Sequence, residues 1–222
     1  MNDSFRLGHD GIYRCDALQQ FVWQKHGFGT RDANPEADVT LRQIHSYRVV
    51  NAHGLRDRDK EGDALVTDML SISIGIRTAD CVPILLLDAS TRAVAAVHAG
   101  WRGTVGQIAK RTIEKMTEDF GSNPADVYAA IGPCIRECCY EVGDEVADQF
   151  DETPASRHPK RPGRRTVDLS EANRRQLTLA GVSAARIFDS GLCTYCLAEQ
   201  FFSYRRQPEN PGRMTAAIAR LG

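Results

Sequence analysis

The chain has 222 residues, enough for one large domain or two small ones, and its apolar fraction of 42% is ordinary for a globular protein with a sizeable core. Its 28 basic and 29 acidic residues nearly cancel, so the charge gives no reason to expect nucleic acid or a membrane surface as partner. No stretch approaches the roughly 20 apolar residues of a membrane helix, and we expect no secretory signal. Seven scattered cysteines predict reduced thiols and a cytoplasmic protein.

Apolar periodicity predicts most of the strands. Val39, Leu41 and Gln43 alternate with polar neighbours and predict a strand that presents His45 at its end. Residues 70–76 alternate through three isoleucines. The runs 82–87 and 93–97 are continuously apolar, as expected of strands buried on both faces. Shorter strands are predicted at 128–131 and 186–188.

Helical spacing predicts three helices, at 105–116, 142–150 and 169–180, and Asp168 is the predicted N-cap of the third. The charge-rich segments 55–63 and 151–165 predict exposed loops. Strands outnumber helices and do not alternate strictly with them. We therefore predict an α+β fold, in which mixed β-sheets pack together and are covered by helices, in a single compact domain over residues 1–222.

Three potential metal ligands lie where predicted strands meet turns: His45, Cys81 and His98. Two imidazoles and one thiolate suit Zn²⁺, and three protein ligands would leave a fourth position open, as in catalytic zinc sites. The ligands are far apart along the chain, so only the fold could bring them together. Spacing alone is a weak signal, because an isolated buried cysteine is commonly a small core residue.

Longer segments around these residues resemble the YfiH-like laccase-domain family. They occur in family order from about residue 26 to residue 214 and read HGFGTRDAN, RQIHS, DALVTD, RTADCVPILLLD, AAVHAGWRGT, AAIGPCIRECCYEVGDEV and FFSYRR followed by GRM. The resemblance implies a zinc ion bound by His45, Cys81 and His98. It also implies phosphorolysis of purine nucleosides (adenosine, inosine and methylthioadenosine) with adenosine deamination beside it. Members of the family also carry the descriptions polyphenol oxidase and cysteine hydrolase.

Each reaction places its own demands on the sequence. Phosphorolysis needs a phosphate site, for which Arg31 and Arg102 are the candidates because guanidinium groups bind phosphate through forked hydrogen bonds. Deamination needs a nucleophilic water, which zinc provides by lowering its pKa, and a carboxylate that transfers protons. Asp80, beside Cys81, is the candidate carboxylate, and alternatively it orients a metal-binding histidine. The HxE and PCxxC signature of nucleobase deaminases is absent from the sequence.

Three alternatives remain open at the level of sequence. Copper could replace zinc, but six histidines are too few for the clusters of a multicopper polyphenol oxidase. Cys81 could be the nucleophile of a hydrolase, with His45 or His98 as its base. The protein could also bind metal without catalysis. Oligomeric state and preferred nucleoside are left undetermined, and we expect five further cysteines to be idle thiols rather than a second zinc site: Cys134, Cys138, Cys139, Cys193 and Cys196.

Overall fold

A computed structural model describes residues 4–150, 156–157, 164–209 and 212–222. Its strands are β1 Phe5–Leu7, β2 Tyr13–Cys15, β3 Gln24–Phe28, β4 Val49–Asn51, β5 Ala64–Thr67, β6 Ser73–Thr78, β7 Val82–Asp88, β8 Val94–Ala99, β9 Val127–Ile131, β10 Glu141–Val142, β11 Ser156–Arg157, β12 Arg165–Thr166, β13 Ile187–Asp189 and β14 Met214–Arg220. Its α-helices are α1 Asp16–Gln19, α2 Trp101–Val105, α3 Ile108–Phe120, α4 Asp144–Ala147 and α5 Leu169–Leu179.

The central layer is a six-stranded sheet with the order β13-β9-β7-β8-β5-β4. It is mixed, because β13 pairs parallel with β9 and β4 pairs parallel with β5, while the other neighbours are antiparallel. Every residue of β7 and β8 is buried. Successive side chains enter different cores, with Ile84 and Leu86 in one and Leu85 and Leu87 in the other. This confirms that the two continuous apolar runs are strands covered on both faces.

The two cores lie on opposite faces of this sheet. Helices α3 and α5 pack on one face, and an antiparallel five-stranded sheet with the order β1-β2-β3-β14-β6 packs on the other. A small third sheet has the order β10-β12-β11. These layers confirm the predicted α+β class with mixed, helix-covered sheets in one compact domain. None of the helices in the described ranges has the length and apolar character needed to traverse a bilayer.

Two predicted elements differ from the observed ones. The strand expected before His45 is wrong: Val39 forms only an isolated bridge with Ile74, and the side chain of Gln43 hydrogen-bonds both backbone groups of Arg77. The Gln43 side chain therefore takes the place of the backbone hydrogen bonds between paired strands, and the chain can bend there. The helix expected over 105–116 is divided into α2 and α3, because Gln107 adopts a left-handed conformation with φ of 61°.

The two predicted loops have different outcomes. Residues 56–61 are exposed as expected, but Asp63 at the end of that segment is completely buried, so its assignment to a solvated turn is wrong. Most of the expected loop 151–165 lies outside the described residues.

The other two predicted helices have different outcomes. The helix predicted at 142–150 is only the short α4, whereas α5 begins as expected, with the Asp168 carboxylate accepting a hydrogen bond from the amide of Glu171 at 3.0 Å.

His26 is buried within the five-stranded sheet and does not line the cavity described below. Its Nε2 accepts a hydrogen bond from the amide of Cys15 at 2.9 Å, and its Nδ1 lies 2.9 Å from Oε1 of Gln24. This arrangement requires a neutral ring with the proton on Nδ1. Burial, together with the charge of Arg14, lowers the pKa of His26 from 6.5 to about 4.

We expect His26 to make the fold sensitive to acid. Between pH 6.5 and about pH 4, His26 is protonated in the unfolded chain but stays neutral in the folded chain. The His26 contribution to the free energy of unfolding therefore falls by about 1.4 kcal/mol per pH unit over this range. Urea unfolding between pH 7 and pH 4.5 should show a slope that includes this contribution in the wild type and in the exposed control H53Q. It should be shallower in H26Q; identical slopes in all three proteins would contradict the account.

Candidate active site

The three predicted metal ligands meet at one place. One potential ligand atom from each of His45, Cys81 and His98 lies within 4.8 Å of the others. The two imidazole rings approach edge to face, with centroids 5.0 Å apart. His98 is 2% exposed, and Cys81 is partly buried. The fold thus assembles two nitrogen ligands and one sulfur ligand in a site that runs from the exposed His45 to the buried His98, and this donor set fits Zn²⁺.

Strand register brings two of these ligands together. His98 lies near the end of β8, and Cys81 immediately precedes β7, its antiparallel neighbour, in which Val82 pairs with Ala99. This register places Gly100 against Cys81. A Cβ atom at Gly100 would lie 3.1 Å from the Cys81 sulfur, so glycine leaves room for the thiolate at the centre of the site.

The carboxylate of Asp63 ties His45 to His98. It accepts hydrogen bonds from Nδ1 of His98 at 2.8 Å, from the amide of His45 at 3.0 Å, and from the amide and hydroxyl of Ser46 at 2.6 and 2.7 Å. Burial would raise the pKa of Asp63, but the hydrogen bonds from His98 and Ser46 outweigh burial and lower it. Because Nδ1 of His98 donates its N–H to Asp63, Nε2 of His98 is the atom left to bind a metal.

The electrostatics of the site favour a bound cation. Burial would lower the pKa of His98, but the neighbouring Cys81 and the hydrogen-bonded Asp63 carboxylate raise it to about 9. Burial and the charge of His98 lower the pKa of His45, despite the opposing effect of Asp63. The imidazole of His45 is therefore held neutral, as metal binding requires, and the buried Asp63 carboxylate beside His98 attracts positive charge.

Asp80 holds the neighbouring loops together. Its carboxylate accepts hydrogen bonds from the hydroxyls of Thr194 and Ser203 at 2.7 and 3.0 Å and from the amide of Arg205 at 2.7 Å. The carboxylate that contacts His98 is Asp63, so the expectation that Asp80 orients a metal-binding histidine is corrected. A proton-transfer role for Asp80, which lines the cavity, stays a prediction.

Two residues of this site have unusual backbone conformations. His45 and Asp80 have positive φ values of 57° and 89°, which residues other than glycine rarely adopt. Such conformations cost about 1–3 kcal/mol each and persist where the surroundings hold them. Here the Asp63 and Asp80 hydrogen bonds described above supply that restraint.

A cavity of about 620 Å³ opens on the three ligands. Such a volume lies within the range of small-molecule sites. Among the described residues that line it, Asp80 is the one acidic side chain. Five of its lining residues are arginines: Arg58, Arg77, Arg102, Arg205 and Arg213. This charge asymmetry makes the cavity suited to an anion beside a metal ion.

The two arginines expected to bind phosphate have different locations. Arg102 lines the cavity, and its guanidinium lies over the ring of Trp101 at 4.4 Å. Trp101 itself both packs on the helical core and lines the cavity. Arg31 is not among the lining residues; it donates a hydrogen bond to the carbonyl of Ala198 at 2.6 Å and lies over Phe202. Its expected phosphate contact has no support from this geometry.

Sequence reasoning missed several residues of the site. Asp63 ends a charge-rich segment that was predicted to be an exposed loop. The apolar strand that begins at the next residue was a signal that Asp63 is buried. Arg58, Arg77 and Arg213 come from three distant segments, and Tyr140 from a fourth. No local pattern could have grouped them, because only tertiary contacts bring these segments to one cavity.

Known proteins are similar to this chain in both sequence and fold. Residues 24–221 match the family described as multi-copper polyphenol oxidoreductase laccase. A protein named adenosine deaminase RL5, from an unknown prokaryotic organism, is 43% identical over 197 residues, which cover 82% of this chain and 74% of that protein. A purine nucleoside phosphorylase of Deinococcus radiodurans is 42% identical over 179 residues, covering 80% and 68% of the two chains.

Solved structures extend the similarity to nearly the whole chain. The crystal structure of YlmD from Geobacillus stearothermophilus has a TM-score of 0.87 and 30% identity, and the match covers 99% of each chain. The hypothetical protein YfiH of Bacillus licheniformis also gives a TM-score of 0.87, at 28% identity, and covers 99% of this chain and 100% of its own. Motifs, fold and family match agree, and the protein belongs to the multi-copper polyphenol oxidoreductase laccase family, which includes the YfiH-like proteins.

Proposed function

We propose that the protein is a zinc-dependent purine nucleoside phosphorylase that acts on adenosine, inosine and methylthioadenosine and also deaminates adenosine. The observation that carries the proposal is the position of the His45, Cys81 and His98 site in a cavity lined by five arginines. The names of the relatives with 42% and 43% identity support the same two reactions.

Phosphorolysis needs the phosphate and the nucleoside to be held side by side. A phosphate oxygen forms a bond to C1′ of the ribose while the bond from C1′ to the purine nitrogen breaks. The purine leaves with that electron pair and takes up a proton, and the products are ribose 1-phosphate and free base. Arg102 and the neighbouring cavity arginines would bind the phosphate. Orientation of the two reactants supplies most of the catalysis in this scheme.

The metal proposed for this site is zinc, held by His45, Cys81 and His98. When bound, it supplies a Lewis acid and lowers the pKa of water. Asp63 keeps His98 in the tautomer that presents Nε2. The ligand set also accepts copper. Two of the remaining histidines are occupied elsewhere: His26 lies in the five-stranded sheet, and His53 pairs with Asp68 at the surface. They are not available to a multicopper cluster.

Adenosine deamination is the second candidate reaction of the same site. The relative named adenosine deaminase RL5 favours it. Water would add at C6 of the purine and the amino group would leave as ammonia, with protons moved by a nearby carboxylate. Asp80 is the acidic side chain of the cavity, and three hydrogen bonds hold it in place. We propose Asp80 for this role.

Two other functions use the same atoms. In a hydrolase, Cys81 would be the nucleophile and His98 its base; in a binding protein, the metal would only stabilise the fold. The arginine-lined cavity favours the phosphorylase, because neither alternative requires an anion site. We also propose a cytoplasmic location, where the seven free thiols would stay reduced.

The direct test is an assay of the purified protein with adenosine or inosine and inorganic phosphate. We expect ribose 1-phosphate and free base to appear, at a rate that depends on phosphate concentration. H98A should lose both turnover and the metal ion of the His45, Cys81 and His98 site, because it removes a ligand of that site, whereas H53A at the surface should keep both. Base release that is independent of phosphate, or undiminished activity in H98A, would overturn the proposal.

Asp63 and Asp68 provide a matched pair, since each accepts a hydrogen bond from a histidine, at 2.8 Å in the buried site and 2.6 Å at the surface. We expect D63N to lower zinc affinity by about 10- to 100-fold, because the carboxylate no longer orients His98. D68N should leave affinity unchanged. Competition with a fluorescent zinc chelator measures both, and equal affinities for the two variants would show that Asp63 does not support the site.

Arg102 should contribute to phosphate binding. We expect R102Q to raise the KM for phosphate by about 10- to 100-fold, as the loss of a charged hydrogen bond worth about 1.5–3 kcal/mol implies. Zinc content should not change. The control R6Q removes an exposed arginine that pairs with Asp16 away from the cavity. A KM increase for the nucleoside alone would assign Arg102 to the base or ribose instead.

A further inference from the structure

Two loops with cysteines lie side by side beyond the β9–β13 pair. The parallel pairing of those strands continues as a bridge between Cys134 and Cys193, with the amide of Thr194 donating to the carbonyl of Cys134 at 3.0 Å. The ion pair between Arg136 and Asp189, at 2.7 Å, joins the same two segments. The loops after the two strands are therefore held in register.

Four thiols from these loops converge. The sulfur of Cys138 lies 3.5 Å from that of Cys139, 3.8 Å from that of Cys193 and 3.9 Å from that of Cys196. The sulfurs of Cys139 and Cys196 are 3.3 Å apart, and all four lie within 4.8 Å of one another. Four thiolates bound at about 2.3 Å in a tetrahedron would be about 3.8 Å apart, whereas a disulfide requires about 2.05 Å. The spacing fits ligands of one ion.

The local backbone also suits a ligand site. Cys193 and Cys196 form a CxxC turn in which the amide of Leu197 donates to the carbonyl of Cys193 at 3.0 Å. The backbone amides of Arg136, Cys196 and Tyr195 donate hydrogen bonds to the sulfur of Cys193. Cys134 is excluded from the group: it is completely buried beside Arg136.

We propose that Cys138, Cys139, Cys193 and Cys196 bind one zinc ion as a closed structural site. Four protein ligands leave no position for substrate, so this ion would take no part in the reaction. The site pairs the adjacent Cys138 and Cys139 with a CxxC turn, which differs from the spacing of a zinc ribbon. The expectation that these four thiols are idle is thereby replaced, while Cys134 remains a core thiol.

The proposed ion would stabilise the rim of the substrate cavity. Tyr140 follows Cys139 directly and lines the cavity. Thr194, inside the CxxC turn, donates its hydroxyl to Asp80, which precedes the ligand Cys81. Zinc at the four cysteines would therefore fix two loops that position the active site, without contact between the two ions. The proposal does not depend on which reaction the cavity catalyses.

Metal stoichiometry tests the proposal. The full chain is purified with reductant, incubated with Zn²⁺, dialysed and measured by elemental analysis. We expect about two ions per chain in the wild type and about one in C139S/C196S, which keeps the His98 site. C15A, which removes a buried cysteine outside the cluster, should keep two. Equal zinc content in C139S/C196S and the wild type would overturn the proposal.

A second measurement tests the proposal even if the variant C139S/C196S does not fold. H98A loaded with Co²⁺ should bind about one ion with the absorption of a tetrahedral tetrathiolate complex, since the four cysteines are then the remaining metal-binding group among the described residues. Its melting temperature should fall when a chelator removes the metal. Absence of cobalt binding by H98A, or a disulfide between Cys139 and Cys196 in the reduced preparation, would overturn the proposal.

Discussion

The structure of the active site depends on one buried carboxylate. Asp63 has no exposed surface, and its hydrogen bonds to His45, Ser46 and His98 account for both the bend that carries one ligand and the orientation of the other. A buried charge is stable only when its partners are in place, and loss of such partners typically costs about 3–5 kcal/mol. The segment around His45 is therefore fixed by Asp63 although it forms no strand.

The layered core explains why the site lies at this edge of the central sheet. Strands β7 and β8 are buried on both faces, so their ends are rigid, and Cys81 and His98 lie at neighbouring ends of this pair. Four of the five cavity arginines come from loops and from the start of α2, and the fifth, Arg77, comes from β6. Rigid strand ends thus hold Cys81 and His98, while loops supply His45 and most of the anion site. The Asp80 carboxylate joins the segments that carry Thr194, Ser203 and Arg205.

Sequence patterns predicted the parts of the molecule that depend on local or continuous burial. The apolar runs that became β7 and β8, the capped helix α5 and the fold class were all predicted correctly, because each follows from burial periodicity or a local cap. The convergence of the three metal ligands was expected from motif resemblance rather than from spacing. The false strand before His45 and the missed Asp63 have one cause: side-chain hydrogen bonds to backbone, from Gln43 and to Asp63, replace regular pairing there.

The account is tested most directly by a crystal structure of the zinc-loaded protein with anomalous diffraction measured at the zinc edge. It predicts an anomalous peak bonded to Cys81 and to Nε2 of His98, with His45 as the third protein ligand and Nδ1 of His98 still on Asp63. An imidazole of His98 that turned away from Asp63, or a peak that lacked any of these three side chains, would contradict it.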